Sequence, residues 1–186
     1  MKKPAMLLAT TGLLLTLALP SVAGAAKTPD PKACAPGSSG ECHDGIFVWH
    51  CKPDAFDCRG TKDDDRMIGT PGHDVIRASR GWDAIKGKEG NDTGYGGFGR
   101  DYIYGETGMD SLHGGDGPDH IYGGSGKDSI YGGSGRDSIY GGQHDDVIFA
   151  GVDGADIDCG GGTDKVFYTD PAGTMARNCE TIIRGR

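Results

Sequence analysis

The sequence predicts an all-β repeat protein with disulfides near both ends. Three observations carry that expectation. Glycine numbers 35 among 186 residues, far above its usual ~7% share, and glycine costs about 1 kcal/mol against alanine inside a helix. An aspartate recurs every nine residues from Asp65 to Asp146. The residues after each aspartate alternate, as in Asp128-Ser-Ile-Tyr131, which puts the aliphatic side chain on one strand face and its neighbours on the other. Collagen is excluded, because only 9 prolines are present and no Gly-X-Y period runs through the chain. The formal net charge of −8 argues against nucleic acid as a partner.

Residues 1–25 read as a secretory signal peptide. Lys2 and Lys3 form a basic start, an apolar stretch runs from Met6 to Leu19, and Pro20 ends it. Ala23-Gly24-Ala25 then supplies a small-x-small cleavage site. The stretch is shorter than the ~20 apolar residues that span a bilayer. The expected product is extracellular, with no transmembrane segment in the mature chain.

Residues 26–59 form a Cys-containing N-terminal segment. It holds Cys34, Cys42, Cys51 and Cys58, while Cys159 and Cys179 stand near the C-terminus. An even count in an exported chain reads as disulfides. Proximity pairs Cys159 with Cys179; the other four allow three connectivities, which the sequence leaves open. His43 and His50 flank this group, but no Cys-x-x-Cys pair gives the spacing of a zinc site.

Residues 60–157 carry the repeat. Its aspartates are Asp65, Asp74, Asp83, Asp92, Asp101, Asp110, Asp119, Asp128, Asp137 and Asp146. Two residues earlier stands a glycine, from Gly72 to Gly135, and two residues later an aliphatic, as in Ile76, Ile85, Ile103, Leu112, Ile121, Ile130, Ile139 and Ile148. A Gly-Gly pair recurs at Gly96-Gly97, Gly114-Gly115, Gly123-Gly124, Gly132-Gly133 and Gly141-Gly142. Turn chemistry favours Asp and Gly at any single turn, but it does not set ten aspartates in phase.

The copies Tyr122-Gly-Gly-Ser-Gly-Lys-Asp-Ser-Ile130 and Tyr131-Gly-Gly-Ser-Gly-Arg-Asp-Ser-Ile139 resemble the RTX (repeats-in-toxin, hemolysin-type) family. Its calcium-binding nonapeptide reads Gly-Gly-x-Gly-x-Asp-x-aliphatic-x. The resemblance implies a parallel β-roll solenoid, each nonapeptide giving one glycine-rich turn and one short strand, two to a coil. It also implies Ca2+ between adjacent turns, held by aspartate carboxylates and turn carbonyls. Carried onto this chain, the carboxylates are those of Asp74, Asp83, Asp92, Asp101, Asp110, Asp119, Asp128, Asp137 and Asp146. The carbonyls are those of Gly97, Gly99, Gly115, Gly117, Gly124, Gly126, Gly133 and Gly135.

With two repeats to a coil, alternate aspartates share a side. One column runs from Asp74 to Asp146 and the other from Asp65 to Asp137. Neighbours in a column would stand ~4.8 Å apart, the spacing of adjacent strands. Carboxylates that close repel unless a cation lies between them, and calcium takes 6–8 oxygen ligands of this kind. One inward aliphatic per repeat is also a thin core. Both facts predict folding coupled to calcium binding.

The repeat departs from the pattern in places. Gly94 takes an inward aliphatic position and is expected to leave a hole beside Ile76 and Leu112. Ala78-Ser79, Gly87-Lys88 and Gly105-Glu106 replace Gly-Gly, and His144 replaces a turn glycine. Asp156 follows Asp146 by ten residues and Asp164 follows by eight more, so Asp164 returns to the column of Asp146. Residues 158–186 are expected to form a C-terminal cap, closed by Cys159–Cys179 over the open end of the solenoid.

Catalytic signatures are absent. There is no His-Glu-x-x-His, no Gly-x-Ser-x-Gly, and Lys127 lacks the following Ser or Thr of a phosphate loop. His73, His113, His120 and His144 read as surface residues at variable positions. Tyr95, Tyr104, Tyr122, Tyr131 and Tyr140 follow the inward position and face outward; Tyr104, Tyr122 and Tyr140 are expected to stack along one sheet. Such a row is either a ladder that stabilises strands or a stripe that binds sugars. The sequence therefore predicts a secreted calcium-binding β-roll protein without catalytic activity. The alternative is a calcium-dependent adhesin, or a protein binding cell-wall or extracellular polysaccharide.

Overall fold

Each repeat folds as one strand and one turn, and strands 18 residues apart lie side by side. The computed structural model describes residues 40–43, 46–51, 57–169 and 173–185. The expected signal peptide, and Cys34, lie outside the described residues. A nine-stranded sheet runs from Gly40–His43 and Ile46–His50 through Asp65–Ile68, Ala84–Glu89, Tyr102–Thr107, His120–Ser125, Asp137–Gln143 and Ala155–Gly161 to Met175–Arg177. An eight-stranded sheet runs from Cys58–Arg59 through Val75–Arg80, Thr93–Phe98, Ser111–Asp116, Ser129–Ser134, Val147–Phe149 and Lys165–Tyr168 to Thr181–Arg184. From Ile46–His50 onward successive strands alternate between the sheets, which makes a parallel β-solenoid of about 7 turns, without helix among the described residues. Its one antiparallel pair among the described residues is Gly40–His43 on Ile46–His50.

The register follows from the period. Ile121 pairs with Ile103 on one side and Ile139 on the other, and Ile130 pairs with Leu112 and Ile148. A one-residue slip would turn the whole aliphatic set to solvent. The core is therefore two facing rows. Met67, Ile85, Ile103, Ile121, Ile139 and Ile157 come from one sheet; Ile76, Leu112, Ile130, Ile148 and Val166 come from the other, all buried.

The gap at Gly94 is smaller than the sequence predicts. A methyl group there would stand 3.4 Å from both Ile103 Cγ2 and Leu112 Cδ2 and 3.7 Å from Ile85 Cγ2. Side chains of both sheets close over the position, so only the volume of a methyl is missing.

The sheets continue beyond the repeat at both ends. Phe47 pairs with Asp65, and Cys58 pairs with Ile76. At the other end Asp156 pairs with Met175 and Lys165 with Thr181. Among the described residues two disulfides tie these ends. Cys51–Cys58 closes a short loop, and the expected Cys159–Cys179 bridge links the strand Ala155–Gly161 to the segment before the last strand. No helix among the described residues is long and apolar enough to cross a membrane.

Candidate metal centre

The repeating aspartates begin or immediately precede their strands, where the turn ends. All are buried, at 4% exposure or less. They form the two expected columns, and the columns are stitched by backbone hydrogen bonds. The N–H of Asp74 donates to Asp92 Oδ1, that of Asp92 to Asp110, that of Asp110 to Asp128, that of Asp128 to Asp146, and that of Asp146 to Asp164, at 2.7–2.9 Å. In the second column the chain of bonds runs from Asp65 through Asp83, Asp101 and Asp119 to Asp137, at 2.7–3.0 Å. Asp164 thus extends the first column, as the summed spacing predicts. Ala155 stands opposite Asp137 and ends the second.

One carboxylate oxygen is used in each case and the other is not. Oδ2 of Asp83, Asp92, Asp101, Asp110, Asp119, Asp128, Asp137, Asp146 and Asp164 is buried without a hydrogen-bond partner. A buried, unpaired carboxylate oxygen is costly. It recurs here coil after coil, always at the turn.

The first glycine of the pair keeps space open beside this oxygen. A Cβ on Gly123 would stand 2.5 Å from Asp128 Oδ2 and would strike the carbonyl of Gly141, one coil on. Gly96, Gly105 and Gly114 face Asp101, Asp110 and Asp119 in the same way, with the carbonyls of Gly114, Gly123 and Gly132 beside them. From Gly87 to Gly141, each of these glycines therefore lets an unpaired carboxylate oxygen and a carbonyl of the next coil approach the same point. Among the described residues no three His, Cys, Asp or Glu side chains converge. A cation held here takes most of its oxygens from the backbone, which suits a hard ion such as calcium.

The glycines Gly97, Gly99, Gly115, Gly117, Gly124, Gly126, Gly133 and Gly135 all hold positive φ, between 114° and 139°. Several of their carbonyls stack along the roll. A side chain on Gly117 would strike the carbonyl of Gly99, and one on Gly135 that of Gly117. The turn conformation survives where the glycine does not. Ser79, Lys88, Glu106 and His144 keep φ of 96°, 93°, 78° and 79°, at a cost of roughly 1–2 kcal/mol each.

Burial pushes the carboxyl pKa up from 3.8 to about 8 at Asp119, to about 7 at Asp83 and Asp146, and to about 6 at Asp92, Asp101, Asp128 and Asp137. The N–H donated from one coil back opposes the rise. Repulsion from the neighbouring carboxylates adds to it at Asp83, Asp92, Asp119, Asp128 and Asp146. A cation between the coils would remove that repulsion.

The first coil differs. Oδ2 of Asp65 accepts from the N–H and the hydroxyl of Thr61, at 2.5 and 3.0 Å. Oδ2 of Asp74 accepts in the same way from Thr70, at 2.6 and 3.0 Å. Sequence reasoning passes over these threonines. It also passes over the first glycine of each pair, whose signal is that only the second glycine holds positive φ, yet both recur.

On the outer faces the aromatic residues form two ladders. Tyr104, Tyr122 and Tyr140 stack as expected, with ring centroids 4.8 and 4.7 Å apart and interplanar angles of 6° and 2°. Tyr95, His113, Tyr131, Phe149 and Phe167 stack along the other sheet, at 4.5–4.9 Å. His113 is thus a rung between two tyrosines, and His120 stacks on Tyr102 at 4.7 Å. Neither is an isolated surface residue. Stacking covers the ring faces and leaves the edges outward.

A family model of four copies of the RTX calcium-binding nonapeptide repeat matches the chain at residues 59–94, 86–121, 95–130, 104–138 and 122–157. No curated protein and no solved structure matches it.

Proposed function

The chain belongs to the RTX calcium-binding nonapeptide-repeat family, and from that premise we propose a secreted calcium-binding β-roll protein, without catalytic activity, whose folding is completed by calcium. The observation that carries this reading is the row of buried Oδ2 atoms without a partner, from Asp83 to Asp164. Each would bind calcium together with turn carbonyls, replacing repulsion between coils by a shared cation. The residues proposed to hold the ions are Asp83, Asp92, Asp101, Asp110, Asp119, Asp128, Asp137 and Asp146, and, added to them, Asp164. Calcium binds the closed roll and not the open chain, so the free energy of binding becomes free energy of folding. Export is supported by the signal-like residues 1–25 and by the disulfides, which persist in oxidising surroundings.

The test is a calcium titration of the full chain followed by far-UV circular dichroism. The reading expects strand signal to grow with calcium and to disappear on chelation. A complete strand spectrum in excess chelator would overturn the coupling.

A second reading, calcium-dependent attachment to a cell surface or polysaccharide, rests on Trp82 and Phe98. They are 60% and 53% exposed on the edge of adjacent coils, with Arg100 and Arg80 beside their rings. Retention of the chain on cell walls, compared with and without calcium, separates the two readings.

A further inference from the structure

The two kinds of turn differ in what satisfies the second carboxylate oxygen. In the turns of Asp65 and Asp74 it is threonine; from Asp83 onward it is nothing within the protein. Resting on the calcium-binding reading, we propose that Thr61 and Thr70 fill the place of a cation, so that the first coil is built without calcium and seeds the coils that need it.

The argument begins with backbone conformation. Thr61 and Thr70 stand four residues before their aspartates, the place that Ser79, Lys88, Gly97, Glu106, Gly115, Gly124, Gly133 and Gly142 take in later turns. Every one of those later residues has positive φ, even where it is not glycine. Thr61 and Thr70 do not. A β-branched side chain resists that region strongly. Held outside it, each threonine turns its N–H toward Oδ2, and its hydroxyl reaches the same atom.

Two donors on one carboxylate oxygen perform part of the task of a metal ion. They give that oxygen two hydrogen-bond partners where a later turn offers none. They also occupy the oxygen, which removes a ligand from any cation between these turns and the next coil. The ion array then begins with Asp83 and Asp92, the first carboxylates with a bare Oδ2.

The neighbourhood suits a seed. The Cys51–Cys58 disulfide lies next to the first coil. The Cys51 N–H donates to the Ile68 carbonyl at 2.9 Å, and Cys58 pairs with Ile76. In a solenoid each coil contacts only its neighbours, so growth from a preformed coil avoids a separate nucleation. The seed offers the strands Asp65–Ile68 and Val75–Arg80 as templates.

The experiment counts calcium by calorimetry and native mass spectrometry on the full chain, beside Asp74→Asn and Asp128→Asn. The expected result is an unchanged ion number for Asp74→Asn and a loss of at least one ion for Asp128→Asn. Equal losses in the two variants would overturn the inference while leaving the calcium reading intact. A parent chain that binds no calcium would overturn the calcium reading and this inference together. Hydrogen exchange in chelator supplies an independent arm. The amides of Thr61 and Thr70 should exchange at least ~10-fold more slowly than those of Gly108 and Gly117, which donate across coils at 2.9 and 2.7 Å. Equal exchange at the four amides would overturn the seed.

Discussion

The amide of Asp128 donates to Oδ1 of Asp146 at 2.9 Å, 18 residues along the chain, while Oδ2 of each residue has no partner. One carboxylate thus has two separate tasks. Its Oδ1 joins coils through the backbone, and its Oδ2 is left for a ligand.

That division makes Asp128→Asn informative. An asparagine Oδ1 can still accept from the Asp110 amide, so the stitch between coils survives. Its amide nitrogen cannot ligate calcium. The expected outcome is a higher calcium midpoint for folding and a smaller fitted ion number. Asp116→Asn removes the same charge from an exposed position whose carboxylate accepts only from the Ser134 hydroxyl, at 2.7 Å, and should change little. Calorimetric titrations that cannot be told apart would show that net charge, and not position, governs binding.

The raised carboxyl pKa values give a pH dependence with a definite sign. In the metal-free roll Asp119 sits at about 8, and Asp83 and Asp146 at about 7, against 3.8 in the open chain. The folded state therefore holds protons that the unfolded chain releases. The stability these protonated carboxyls contribute is fully present below about pH 4 and is lost as pH rises through about 6 to 8. In excess chelator, any residual strand signal should be greater at about pH 5 than at about pH 8.5. Calcium must displace these protons, so binding near neutral pH should release them, and affinity should fall on acidification. A metal-free strand signal that rises with pH would contradict the burial of these carboxyl groups.

Most of the roll is legible in the sequence because its period is physical. Asp128, Ile130 and Tyr131 state in four residues which atoms face the turn, the core and the solvent. The summed spacing of Asp146, Asp156 and Asp164 carries the column through a slip. The role of Thr70 is not legible in the same way. It depends on a φ angle and on which oxygen of Asp74 its N–H meets, and no composition rule distinguishes that from an ordinary turn threonine. His113 is an intermediate case. It stands 18 residues from both Tyr95 and Tyr131, so the ladder was available once rows were compared by coil and not by residue type. The pairing of Cys51 with Cys58 is set by the fold, since three connectivities satisfy the sequence spacing equally.

Two glycines that look alike in the sequence should respond in opposite ways to alanine. Gly123 faces Asp128 Oδ2 and the Gly141 carbonyl, so a methyl there intrudes on atoms that cannot retreat without breaking the turn. Gly123→Ala should destabilise the calcium-loaded roll by about 1–3 kcal/mol and weaken calcium binding. Gly94 lies at a strand position without positive φ, and its methyl would meet Ile103, Leu112 and Ile85 at 3.4–3.7 Å. Gly94→Ala should stabilise by about 0.4–1 kcal/mol, because the unfolded chain loses freedom and the core gains contact. Thermal unfolding at saturating calcium reads both. A destabilised Gly94→Ala would mean that the sheets cannot hold even that methyl.

The tyrosine ladder separates a structural row from a sugar-binding one. Tyr122 lies between Tyr104 and Tyr140, with both faces covered at 4.8 and 4.7 Å. A sugar ring packs on an open aromatic face, and stacking leaves Tyr122 none. Tyr122→Ser removes two stacked contacts, each worth about 0.5–1.5 kcal/mol beyond the area they bury. The calcium-loaded chain should therefore lose roughly 1–3 kcal/mol in denaturant unfolding. Its retention on insoluble polysaccharide, measured at calcium saturation and well below the unfolding temperature, should stay at the parent level. Trp82→Ala is the contrasting variant. Trp82 is 60% exposed and has no stacked aromatic ring beside it, only the Arg100 guanidinium 5.7 Å from its centroid. Its loss should cost little stability, and it is the substitution that would lower retention if the chain holds a surface at all. The opposite pattern, a stable Tyr122→Ser that no longer adheres, would make the ladder a binding stripe and not a brace.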